Sequence, residues 1–216
     1  MPRLKNDPRT LAAVAATRQR LLDAACDEFC EVPFFETDTN KIARRANLSP
    51  GTFYNHFADK IEIFAEAFER LNAEEVAEIT ARTGAARDSG ASFVEIIDVM
   101  VDTLLACRQR QALIRLQADV LKRTEIRVRD AKMRVRLNNI GNMKQAMANR
   151  GIVQVSDGEL HLNMYVINLL ADGIVNGEFR MYGVDNKFAR DEIRRRFIAC
   201  YAGLGSGGSP SAAAAP

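Results

Sequence analysis

Between Thr37 and Lys60 the chain reads TDTNKIARRANLSPGTFYNHFADK, and its reactive side chains are of the hydrogen-bonding and cationic kinds. Asparagine can bond adenine through two atoms at once, while lysine, tyrosine and a helix N-terminus suit phosphate. Thr52, Tyr54, Asn55 and His56 fall together as the types that reading a DNA groove requires. No comparable concentration of catalytic chemistry occurs elsewhere. There is no Ser/His/Asp or Cys/His arrangement, no metal-ligand cluster and no phosphate-cradling glycine loop, and His161 alone cannot form a site. Cys26, Cys30, Cys107 and Cys200 lack the C-x2-C spacing of a zinc site. Cys26 and Cys30 stand one helical turn apart, either as small core fillers or as a redox-sensing pair. The expectation is a protein that is not an enzyme and needs no cofactor and no metal.

Two short helices and a tight turn must position these groups. Ile42, Ala43 and Ala46 make a small apolar stripe whose alanines admit a close helix crossing. Asn47 tolerates the left-handed backbone of a helix end, Leu48 plugs the corner, Ser49 is an N-cap and Pro50 takes the first helical position. Phe53 and Phe57 at i, i+4 face inward and leave the polar residues outside. Asp59 and Glu62 form a capping box for the next helix. Lys60 in its first turn opposes the helix dipole and calls for an anionic neighbour. A helix, a short turn and a second helix with a polar exposed face is the helix-turn-helix pattern, which competes with a plain helical hairpin.

The string Ile42-Ala43, Ala46, Leu48-Ser49, Gly51-Thr52-Phe53-Tyr54, His56-Phe57 and Lys60 resembles the tetracycline-repressor (TetR) family of transcription regulators. The motif-level resemblance covers about residues 17–71. It implies that Asn40, Pro50, Gly51, Thr52 and Asn55 approach base edges, with Thr39, Lys41, Tyr54, His56 and Lys60 on phosphates and Ser49 within the same DNA-binding set. His56 can equally be packed between helices. Asp38, where the family commonly has threonine, reads as a cap of the second helix. In the family's pattern the connector Pro33-Phe34-Phe35 more often carries a glycine.

At 216 residues the chain suits one or two domains, and its net charge of +2 means that affinity for DNA must come from local basic patches. The fold expected is all-α: a flexible arm over 1–16, carrying Arg3, Lys5 and Arg9; a three-helix DNA-binding domain over 17–60; and a connecting helix over 61–83. A helical effector-binding and dimerisation domain follows over 84–204, with a disordered tail over 205–216. Gly84 to Gly90 reads as a loop. Ser92 with Glu95, and Ser156 with Glu159, make two further capping boxes. The stretch from Arg115 to Arg150 is the most basic part of the chain, either a solvated face or a site for an anionic effector or DNA backbone.

The helix from Leu160 to Val175 is apolar nearly all round and so needs burial on two sides. The run Leu160 to Ala171 is too short to span a bilayer, and a cytoplasmic protein is expected. Asn168, Asp172 and Asn176 fall on one stripe of this helix, facing solvent, a pocket or a dimer axis. The family's dimer interface is a four-helix bundle from its last two long helices, which implies an interface over Leu162, Val166, Leu170, Gly173, Gly177, Ile193, Phe197 and Tyr201. Gly173 and Gly177 at i, i+4 would let another helix approach. Candidates for an effector pocket are Met100, Leu104, Arg108, Leu116, Met133, Leu137, Met147 and Asn168. The function implied is a repressor binding a palindromic double-stranded DNA operator as a homodimer, released by a small effector of anionic or apolar character. A DNA-binding dimer without an effector is the alternative.

Overall fold

The computed structural model describes residues 7–202, apart from residues 150 and 153–155; Arg3, Lys5, Arg150 and the expected tail over 205–216 lie outside the described residues. Among the described residues the regular elements are all helices, and no helix is long and apolar enough to cross a membrane.

The first helix, α1 (Pro8–Glu31), begins at Pro8 and not near Thr17. Asp7 holds extended backbone at the N-cap, and Pro8 occupies a first-turn position where a missing N–H costs nothing. Ala12, Ala13, Ala15 and Ala16 then supply strong helix propensity. Residues 11–16 are all exposed. These turns carry no buried stripe, which is why apolar periodicity does not reveal them.

A 3-10 turn (Phe34–Glu36) leads to α2 (Thr39–Arg45), α3 (Pro50–Phe53) and α4 (Lys60–Asp88). The sequence ends α4 near Thr83–Gly84, but the helix runs through Gly84. One interior glycine costs only about 1 kcal/mol relative to alanine, and Ala81, Ala85 and Ala86 surround it. The chain turns instead at Gly90, which has φ +84°. Then follow α5 (Phe93–Arg110), α6 (Ala112–Leu121), α7 (Ile126–Ala148), α8 (Asp157–Val175), α9 (Glu178–Met181) and α10 (Asn186–Tyr201). Both expected capping boxes are formed, at Ser92–Glu95 and at Ser156–Glu159.

The chain divides into two compact units, one made of residues through Ala73 with Leu113–Val135, the other of Glu74–Ala112 with the residues from Arg136 onward. In the first unit, aromatic rings form the centre. Phe64 lies edge-on to both Phe29 and Phe34, at 4.9 and 5.2 Å between centroids. Ile114, Ala118 and Leu121 of α6 and Val128 of α7 are buried in this same core, although their sequence neighbours read as part of the later region. Helical spacing shows that a face is apolar but not which core it fills. In the second unit α5, α8 and α10 pack on one another around Ile97, Val101, Leu104, Leu160, Ile167, Ile193 and Phe197. Arg190 and Arg194 of α10 pair with Asp102 and Asp98 of α5 at 2.7 and 2.8 Å.

Candidate functional site

The α2–α3 corner is built by local rules. Asp38 is the N-cap of α2, its carboxylate accepting from the Lys41 N–H at 2.8 Å. That hydrogen bond holds the Asp38 pKa below its ordinary value. At the other end Asn47 takes a left-handed conformation, φ +55°, and the Leu48 N–H turns back to the Ala43 carbonyl at 2.9 Å. Arg20 of α1 donates to the Ala46 carbonyl at 2.6 Å and so closes the C-terminus of α2. The helix after the turn is one α-turn long and is continued by single turns, His56 N–H to Phe53 carbonyl and Phe57 N–H to the same carbonyl, at 2.9 and 3.0 Å.

Phe53 and Phe57 are buried at 0% and 2% exposure, as their i, i+4 spacing requires. What they leave outside is a polar face with Asn40, Lys41, Ser49, Pro50, Gly51, Tyr54 and Asn55 exposed and Thr39, Thr52 and His56 half-buried. The face is braced from within: the Tyr54 hydroxyl lies 3.0 Å from the Thr39 hydroxyl, tying α3 to the start of α2. Ser49 holds the N-cap position, but its hydroxyl engages that of Thr52 at 2.8 Å and no backbone N–H. Lys41 donates to the Glu36 carbonyl at 2.6 Å.

Lys60 makes its direct contacts with backbone carbonyls and a ring, and its anionic neighbour, Asp38, acts on it only through space. Its ammonium donates to the carbonyls of Phe34 and Thr37, at 2.7 and 2.8 Å, and stands 4.1 Å from the Phe34 ring centroid. Carbonyl dipoles and a ring face, with the Asp38 carboxylate acting on the ammonium through space, offset the unfavourable helix end. Burial pushes the Lys60 pKa down.

The basic stretch is also largely engaged internally. Arg115 donates to Asn72 at 2.8 Å, Arg127 to Asp59 at 2.8 Å, Arg134 to Glu69, Lys122 and Lys132 to Asp119, and Arg136 to the His161 carbonyl at 3.1 Å.

Within the second unit lies a cavity of ≈ 580 Å³. Its body is apolar, lined by Ile96, Ile97, Met100, Leu104, Met143, Met164, Ile167 and Phe197. The exposed members of the lining are Thr80 and Arg87 of α4, with Asn142 of α7 and Asn149 just beyond it, so the mouth opens between these segments. Buried in the same lining is Arg108, only 4% exposed in its side chain. It donates to both oxygens of Glu75, at 2.9 and 3.2 Å, to Asn168 at 2.6 Å and to Asp172 at 2.9 Å. Burial works against its charge, yet Glu75 and Asp172 outweigh that and hold its pKa above the ordinary value.

Of the eight pocket candidates, Met100, Leu104, Arg108 and Asn168 line this cavity. Leu116, Met133 and Leu137 are 53–57% exposed, and Met147 is buried in the core without being part of the lining. Leu116 and Met133 belong to the first unit altogether. Glu75 was missed, although a signal for it exists: it continues the buried series Phe68, Leu71 on α4, while Arg108 continues Ile97, Val101, Leu104 on α5. Opposite charges at two core positions mark a buried pair.

The face expected to meet a second subunit is differently composed. Leu162, Tyr165 and Leu169 are 58%, 52% and 56% exposed, and with half-buried Val166 they form an i, i+3, i+4, i+7 stripe on α8. Ile193 and Phe197 are core residues instead, at 0% and 6%, while Leu170 and Tyr201 pack against that core. Gly173 and Gly177 have separate local causes. A Cβ at Gly173 would stand 2.9 Å from the Phe179 ring, so that glycine admits α9 of its own chain; Gly177, φ +73°, is the left-handed residue between α8 and α9.

The family model for bacterial regulatory proteins of the tetR family matches residues 21–67, which contain the whole α2–α3 corner and Lys60. Over 183 residues the chain is 25% identical to the probable acrEF/envCD operon repressor of Escherichia coli (strain K12), covering 82% of this chain and 83% of that protein. Among solved structures it is similar to a TetR-family transcriptional regulator from Rhodococcus sp., with a TM-score of 0.64 and 18% identity over 87% of this chain and 99% of that one. It is also similar to Thermus thermophilus FadR, a TetR-family repressor solved with lauroyl-CoA, with a TM-score of 0.58 and 20% identity over 91% and 100% of the two chains. At such identities the two structures speak for the fold, and the family model speaks for residues 21–67. The region over residues 21–67 is thus of the tetR-family kind, and the chain is a DNA-binding transcriptional regulator similar to these repressors.

Proposed function

We propose that the protein represses transcription as a homodimer on a palindromic operator and that a small molecule in the second-unit cavity releases it. Asn40, Pro50, Gly51, Thr52 and Asn55 read base edges, while Thr39, Lys41, Ser49, Tyr54 and His56 hold the backbone. The observation that carries the reading is α4 itself. Its first turn supplies Lys60, which grips the carbonyls just before α2, and its last four turns supply Glu75, Val76, Ile79, Thr80, Thr83 and Arg87 to the cavity wall. A ligand that favours one position of residues 74–88 therefore acts on the helix that anchors the reading corner. The exposed apolar stripe Leu162, Tyr165, Val166, Leu169 is suited to a second copy, since a solvent-facing stripe of this kind has no role in its own core.

The test is selection of bound sequences from random DNA, followed by footprinting over a salt series. A protected palindrome with half-sites about 34–36 Å apart, or a multiple of that, and a steep salt slope are expected. Asn55→Ala should relax base preference, whereas Lys41→Ala should weaken binding to all sequences alike. Recovery of no preferred sequence would sink the reading.

A further inference from the structure

From Thr17 to Lys60 the chain carries six lysines and arginines: Arg18, Arg20, Lys41, Arg44, Arg45 and Lys60. Five of them are held by the fold itself. Arg18 pairs with Glu66 and stands 4.4 Å from the Phe57 ring centroid, and Arg20 donates to the Ala46 carbonyl. Arg45 reaches back to Glu28 and Glu31 of α1 at 3.1 and 2.7 Å. Lys41 donates to the Glu36 carbonyl, and Lys60 to those of Phe34 and Thr37. Arg44 is exposed and makes no hydrogen bond or ion pair among the described residues. Its place on α2 is set by helix geometry. Ile42 and Ala43 are buried and Arg45 lies on the flank toward α1. At about 100° per residue, Arg44 falls between Asn40 and Lys41 on the outward face, about 40° from one and 60° from the other. A helical side chain leans toward the N-terminus of its helix, which carries the Arg44 head over the turn holding those two. The Asp38 carboxylate, held below its ordinary pKa first by the Lys41 N–H, also feels the Arg44 charge through space, in keeping with that direction.

We infer that Arg44 is the cation through which the α2–α3 corner grips the DNA backbone, its planar fork free to take one phosphate by two parallel hydrogen bonds. It adds to the contact set proposed above, in which Lys41 is the only lysine or arginine, and it rests on that same corner meeting DNA. Lys41 has already spent one donor on Glu36, whereas the five N–H donors of Arg44 are all unspent. With a net charge of +2 over 216 residues, attraction to the backbone depends on the few cations that face it. Arg44 also offsets the neighbouring Asp38 carboxylate, which by itself would repel a phosphate. The two consecutive arginines thus divide the work: Arg45 ties α2 to α1, and Arg44 faces the phosphates.

The experiment is fluorescence anisotropy of a labelled duplex of mixed sequence, about three helical turns long, titrated with the full-length protein over a series of salt concentrations. Wild type, Arg44→Gln, Arg44→Lys and Arg45→Gln are compared, each with a thermal melt. Arg44→Gln is expected to melt as the wild type does, to bind at least about tenfold more weakly at low salt, and to lower the slope of log affinity against log salt by about one per bound subunit. Arg44→Lys keeps the charge and should restore the slope but not the full affinity, since an ammonium lacks the fork. Arg45→Gln should lower the thermal midpoint and leave the slope unchanged. An unchanged slope in Arg44→Gln, or an equal drop in Arg45→Gln, would overturn the inference while leaving the corner to its other contacts. A wild type without salt-dependent binding to the duplex would overturn both.

Discussion

Lys60→Met separates a strut from a phosphate contact. In the wild type the ammonium makes two charge-assisted hydrogen bonds to the Phe34 and Thr37 carbonyls and stands over the Phe34 ring. Hydrogen bonds to a charged group contribute about 1.5–3 kcal/mol each when desolvated, and the ring contact about 0.5–1 kcal/mol. Lys60 is only half-buried, so solvent screening reduces the sum to about 2–4 kcal/mol. Methionine keeps the apolar stem and deletes the head, so the loss is confined to those contacts. For a chain of this size, 1 kcal/mol shifts the thermal midpoint by roughly 2–4 °C, and a fall of roughly 5–15 °C is expected. Affinity for DNA should fall as well, because Thr37 is followed directly by the Asp38 cap of α2. The slope of log affinity against log salt should stay nearly unchanged, since the ammonium is directed at the protein's own carbonyls. Thermal melts and DNA-binding anisotropy at four salt concentrations measure both. An unchanged midpoint with a salt slope reduced by about one would refute the strut and return Lys60 to the phosphate set.

Other perturbations follow from the same geometry. Arg108→Met leaves Glu75 and Asp172 without their shared cation and should destabilise by about 3–5 kcal/mol in urea unfolding; a loss below 1 kcal/mol would show the pair to be solvated. Asp38→Ala should cost about 1 kcal/mol as a lost N-cap. Because the Asp38 pKa is lowered from 3.8, its contribution is present above that value and is lost as pH falls through the folded pKa. Asp38→Asn caps without charge and should lack that acid-dependent component in pH-resolved melts. Gly173→Ala drives a methyl into the Phe179 ring and should cost about 1–3 kcal/mol while disturbing α9. The same change at left-handed Gly177, where a Cβ would meet open space, should cost about 1–2 kcal/mol from backbone strain alone, so amide hydrogen exchange in α9 tells the two apart.

Much of the reading corner was legible because its determinants are local. Asp38, Asn47, Pro50 and the Phe53/Phe57 pair each act within four residues of where they stand, so propensity, capping and spacing suffice to draw the turn. The capping boxes at Ser92 and Ser156 were legible for the same reason. Lys60 shows where that logic stops. Its place in the first turn is unfavourable by itself, and its compensation comes from carbonyls 23 and 26 residues away. Leu116, Met133 and Leu137 show the complementary error, since an apolar residue at helical spacing signals a face and not the direction that face will take.

The sequence by itself determined an all-α chain, the position and composition of the helix-turn-helix corner and its resemblance to a family of regulators, because short-range backbone chemistry and a dense local motif carry that information. Only the tertiary structure decided that α6 completes the first core, that α8 offers Leu162, Tyr165 and Leu169 while keeping Ile167 inside, and that Gly173 makes room for Phe179. It alone brought Glu75, Arg108 and Asn168 together in the wall of one cavity, with Asp172 paired to Arg108 behind them. Those outcomes depend on which helix face meets which neighbour across 33 to 64 residues of chain, and a periodic apolar pattern is compatible with many such pairings until burial and charge satisfaction select among them.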